Sequence, residues 1–272
     1  MIKVKDIEYV VYDVPDLKVM KDFLLDFGLS VTLETDSILY MRGIGEASYE
    51  YVARKAEKSG FVAFGLRVES YSDLENFVAE GLASEIKEID APGGGHMAVV
   101  IGPDGWRFEI VCGIEKHEVD NIRAPLSYNA ATVKTRLNQS QRPPKGKVDV
   151  LRLGHCALTV SNAVEAAEWL GSNFGFVPSD YLVAEDDEDN IIGVFLRCST
   201  GDEYVDHHTF FLSQSNDIKI HHCGFEVLDI DANMSSHEYL ISRGYEMEVG
   251  VGRHMAGSQV FDYWIDPCGM RI

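Results

Sequence analysis

The feature that most constrains this chain is a succession of patterns that returns four times: a short apolar strand, a helix, then two or three more strands. The first copy opens with DIEYVVYDVPD, continues through DLKVMKDFLLDFG and ends near YEYVARKA. The second runs from GFVAFGLRVES through YSDLENFVAEG to WRFEIVCG, the third begins at LRLGHCALTVSN with helix AVEAAEWLGSNFG, and the fourth at IKIHHCGFEVLDID with helix ANMSSHEYLISRG. Each predicted helix runs into a glycine, the residue suited to the left-handed stop of a helix. A recurring order of elements is stronger evidence than any single propensity, and it predicts an α+β chain of four βαβββ modules. IGPDGWRFEIV closes the second copy and IDPCGMRI closes the fourth, which pairs module one with two and three with four. Two domains follow: residues 1–113 and 149–272, separated by a linker over 114–148 that contains the polar, basic NAATVKTRLNQSQRPPKGK with its Pro pair.

A length of 272 residues suits two such domains. The formal net charge of −20 works against nucleic acid and anionic membranes as partners. No apolar run reaches the roughly 18 residues a membrane span needs, and acidic residues interrupt the short apolar N-terminal stretch, unlike a signal peptide. The five cysteines are an odd, scattered set without a CxxC pair, which points to free thiols and a cytoplasmic protein rather than to a disulfide framework or a thiolate metal site. The carboxylate block AEDDEDN at 184–190 reads as a solvated hairpin tip, because it lacks the alternating ligands and central glycine of a calcium loop.

Strand parity singles out two histidines. In the third module Cys156, Leu158 and Val160 form an apolar face, so His155, Ala157 and Thr159 point the other way. In the fourth, Cys223, Phe225 and Val227 are apolar, and His222, Gly224 and Glu226 oppose them. Parity thus selects His222 over His221, and Glu8 and Ala63 are taken as the N-terminal counterparts of the pair. Seven of the nine histidines lie in the C-terminal half. Two neutral imidazoles with a carboxylate, leaving open positions, suit Fe(II) that binds both a substrate and O2.

LGHCALTV, DHHTFFL, IHHCGFEV, VGRHMAG and FDYWIDPCGMRI, in this order, resemble the type I extradiol dioxygenases of the vicinal oxygen chelate superfamily. The resemblance spans nearly the whole chain and implies the glyoxalase/extradiol dioxygenase fold, with a degenerate N-terminal domain and a catalytic C-terminal one. It implies Fe(II), with Mn(II) a minority choice, held by His155, His222 and a Glu of the last strand. The family places that Glu six residues after the Pro of the closing turn. Counting from Pro267 reaches the position after Ile272, while the same count from Pro103 reaches Glu109, so a Glu just beyond Ile272 is expected.

By the same resemblance His208 is the acid–base histidine near O2, His254 hydrogen-bonds a substrate hydroxyl or the reacting oxygen, and Tyr263 reaches the catecholate oxygen. Strand parity does not separate His208 from His207. The implied activity is cleavage of a catecholic ring next to the diol, giving a hydroxymuconic semialdehyde-type product, in a homo-oligomer. Met255, Ala256 and Gly257 stand where biphenyl-type members carry an Asn-Asp pair, so a small or alkyl-substituted catechol is as plausible as a biaryl diol. Trp169 and Trp264 are assigned to core packing. The alternative within this fold is a metal-free ligand-binding protein or a glyoxalase-like isomerase.

Overall fold

The computed structural model describes residues 3–142 and 145–272; the expected linker prolines, Pro143 and Pro144, lie outside the described residues. Strand β1 (Asp6–Val14) alternates as its sequence dictates: Val10, Tyr12 and Val14 enter the main core, while Tyr9 and Val11 face a second, smaller cluster. Asp16 then ends the strand and caps helix α1 (Leu17–Phe27), its carboxylate accepting the Lys18 and Val19 backbone N–H groups. Strands β2 (Ser30–Glu34), β3 (Ile38–Arg42) and β4 (Tyr51–Lys55) complete the first βαβββ unit. The second unit comprises β5 (Gly60–Arg67), α2 (Tyr71–Ala79), β6 (Lys87–Glu88), β7 (His96–Ile101) and β8 (Arg107–Cys112). No helix or strand is assigned among the described residues between Cys112 and Arg152.

The third unit is β9 (Arg152–Val160), α3 (Ala163–Phe174), β10 (Val177–Ala184), β11 (Asp187–Arg197) and β12 (Phe210–Gln214). The fourth has β13 (Ile220–Glu226), α4 (Ile230–Arg243), β14 (Glu246–Arg253) and β15 (Val260–Ile265), followed by a single bridge from Ile265 to Arg271. The acidic block occupies the turn between β10 and β11 and its flanks. The helix stops differ from expectation in two cases. Gly175 and Gly244 adopt the left-handed conformation after α3 and α4, but Gly28 sits at φ 122°, and α2 ends on right-handed Glu80 with Gly81 one residue later.

The N-terminal strands form one sheet in the order β2-β3-β4-β1-β5-β8-β7-β6. The C-terminal half repeats the first five places as β10-β11-β12-β9-β13, with β14-β15 separate. Where β8 lies beside β5, no described strand lies beside β13. Register fixes the equivalences between halves. Val10 faces Phe64 and Tyr51, as Cys156 faces Cys223 and Phe210, so Val10 corresponds to Cys156. Ala63 is therefore the counterpart of His222, as expected, but the counterpart of His155 is Tyr9 and not Glu8. Glu8 sits one residue earlier, at a bulge in β1, and pairs with Arg67.

One apolar core runs through both halves: Phe64 meets Phe210 with ring centroids 5.0 Å apart, and Phe108 meets Phe174 at 5.2 Å. Polar ties cross the same boundary. The Asp26 carboxylate of α1 accepts Tyr239 Oη at 2.7 Å, Tyr245 Oη at 2.8 Å and Arg243 Nε at 2.8 Å, all from α4 or the residues just after it. Buried Glu50 accepts the Gly43 N–H at 2.6 Å and the Leu153 N–H of β9 at 2.8 Å. Among the described residues no helix is long and apolar enough to cross a membrane.

Candidate metal and substrate site

Adjacent antiparallel strands β9 and β13 carry His155 and His222 on one face, while Cys156 and Cys223 turn into the core behind them. The two Nε2 atoms stand 3.0 Å apart. Gly224 allows this: a β-carbon there would lie 2.7 Å from His155 Nδ1, closer than atoms tolerate. Tyr9 packs over Gly65 in the N-terminal half in the same way.

The other predicted site residues converge on the pair. The His208 ring lies 4.5 Å from that of His155, and the Tyr263 ring 5.1 Å from that of His222. His254 Nε2 is 3.0 Å from the Tyr263 hydroxyl. All five line a cavity of about 600 Å³ that Phe261 and Val205 also wall. His207 lines it too, but is only half-buried, whereas His208 is buried beside His155. Trp264 is 1% exposed and Trp169 packs on Phe108 and Phe174, in keeping with core roles.

Burial governs the protonation of this cluster. It lowers His155 to about 4, with His254 adding repulsion, and His208 to about 3, with His155 adding to it. His222 is held well below the ordinary histidine range by burial and by His155, and burial lowers His254. Neutral imidazoles near pH 7 offer lone pairs, and two nitrogens each about 2 Å from one ion at a right angle would stand roughly 3 Å apart. The donor pair therefore fits a divalent cation. No set of three or more His, Cys, Asp or Glu able to hold a metal occurs among the described residues.

The internal repeat shows how a third donor is arranged. In the N-terminal half Glu109 of β8 lies beside Gly65, and Tyr9 Oη donates to its carboxylate at 2.8 Å. Arg107 holds the other oxygen at 2.9 Å.

Two neighbours of the site were not legible in the sequence. Gln259 Nε2 lies 3.2 Å from His208 Nδ1, and nothing in its sequence context marks it. Asp206 binds Arg152 at the cavity edge, and its place beside the two histidines of DHHTFFL was the available signal.

Residues 152–272 match the family model described as the Glyoxalase/Bleomycin resistance protein/Dioxygenase superfamily. The chain is 23% identical to metapyrocatechase 2 of Cupriavidus necator, over 98% of this chain and 79% of that protein. Among solved structures, the Mn(II)-bound glyoxalase of Novosphingobium aromaticivorans superposes with a TM-score of 0.82 at 23% identity, over 100% of this chain and 81% of that one. The 2,3-dioxygenase LapB of Pseudomonas sp. KL28 gives 0.79 at 21% identity, over 100% and 91%. The solved structures establish the fold.

Proposed function

We propose that this chain, whose residues 152–272 belong to the Glyoxalase/Bleomycin resistance protein/Dioxygenase superfamily, is an extradiol dioxygenase that cleaves a catecholic ring beside the diol. The observation that carries the reading is the pair of Nε2 atoms 3.0 Å apart, with His208, His254 and Tyr263 around them. The similarity to metapyrocatechase 2 supports it. Both atoms of O2 enter the product, and the ring opens at the carbon–carbon bond next to the hydroxyl-bearing carbons.

His155 and His222 would hold the metal, Fe(II) in our reading, with Mn(II) compatible with the same donors. A carboxylate is proposed as third donor, from the position after Ile272. Ile272 pairs with Trp264 through both backbone bonds, so the next residue along that strand would stand opposite Tyr263, on the face that meets His222. When bound, Fe(II) supplies the redox chemistry that lets a catecholate react with O2.

The chain's own residues bind, orient and move protons. Tyr263 Oη and His254 Nε2, already hydrogen-bonded to each other, are placed to hold one catechol hydroxyl and receive its proton. His208, neutral and buried beside His155, is placed to give and take a proton on the oxygen side. Phe261, its ring tilted against both His254 and Tyr263, would keep water from the ring face. A cytoplasmic location and assembly into a homo-oligomer belong to the same proposal.

The test is anaerobic loading with Fe(II), addition of catechol and 3-substituted catechols, and admission of air. One O2 consumed per catechol with a yellow product is the expected result. No uptake by protein shown to hold iron would sink the reading.

A further inference from the structure

We infer, resting on the catechol reading above, that this site selects catechols whose ring substituent carries no negative charge. The charges around the cavity carry the argument. Among the described residues no lysine or arginine lines it, whereas Asp206 and Glu226 do. Two guanidinium groups act electrostatically on the imidazole pair, Arg152 on His155 and Arg271 on His222, and both are already engaged. Arg271 is gripped through Nε and Nη2 by the two oxygens of Glu248.

Arg152 is shared by three carboxylates: Asp6 at 3.2 Å, Glu226 at 3.0 Å, and Asp206. That cluster carries two negative charges more than positive ones, and Asp206 is close enough to act on His155. A carboxylate on the ring substituent would enter this field with no lysine or arginine of the described lining to pair with, while losing its own hydration. The lining also has apolar surface: Phe261 packs on His254 with centroids 4.2 Å apart, and Val205 adds to it. Hydrogen, alkyl or aryl substituents suit that surface. The substrate class is an uncharged catechol.

The discriminating measurement is anaerobic calorimetric titration of the Fe(II)-loaded chain with 4-ethylcatechol and 3,4-dihydroxyphenylacetate, which differ at the substituent's terminal group. The uncharged compound is expected to bind at least about tenfold more tightly, the size of a like-charge repulsion at a partly hydrated site. In Asp206→Asn that preference is expected to shrink by roughly threefold or more, since one of the repelling charges is gone and Arg152 is partly released. Equal or tighter binding of the carboxylate overturns the inference and leaves the catechol reading standing. A preference unchanged in Asp206→Asn also overturns it, because the selection would then be steric. Binding of neither compound would remove the catechol reading, and this inference with it.

Discussion

At the scale of single residues, the site depends on a missing methyl group. Gly224 lies flat against the His155 ring, and a β-carbon there would push the imidazole out of line with His222. Gly224→Ala is therefore expected to weaken divalent-metal binding roughly tenfold or more, at a cost in folding stability of about 1–3 kcal/mol from overpacking. Metal titration beside urea unfolding checks both, and unchanged metal affinity would contradict the role given to His155. Period-two alternation made His155 and His222 legible, while His208, His254 and Tyr263, which line the same cavity, were named only through the resemblance of the ordered motifs. The N-terminal counterpart was misread by one residue. Tyr9 and His155 each lie seven residues before their helix caps, Asp16 and Asn162, and counting back from the caps gives the right pair.

Among elements, the order of strands and helices followed from hydrophobic periodicity and turn residues, which are local. Sheet order and the exact helix stops were not legible, since they depend on partners distant in sequence. The junction of β9 with the loop before β4 is one such case. Glu50 is 3% exposed and accepts two backbone N–H groups, one from each side of that junction. Burial raises its carboxyl to about 7 from 4.5. The folded protein thus holds a proton that the unfolded chain releases, so stability falls as pH rises between those two values, by up to roughly 3 kcal/mol. Urea midpoints at pH 5.5 and 8.0 are expected to drop more in wild type than in Glu50→Gln, and equal drops would exclude Glu50 as a source.

For the whole molecule, the repeat predicts two domains, and a single apolar core runs across both halves while Asp26 ties α1 to α4 and its C-terminal flank. Calorimetry is expected to show one cooperative unfolding transition, with Asp26→Ala lowering its midpoint by roughly 2–6 °C. Two resolved transitions would show that the shared core does not couple the halves.

The hydrogen bond from Tyr9 to Glu109 has a consequence for how this architecture acquires and loses chemistry. One molecule contains two versions of the same scaffold, alike in the order of five strands and in the glycine beneath the key side chain. In one version a phenol and a methyl group replace the two imidazoles, and the phenol takes up the carboxylate by itself. The half with Tyr9 and Ala63 is thus a natural control for the half with His155 and His222. Whatever the histidine half does with a metal can be measured against a counterpart in the same chain and the same solvent.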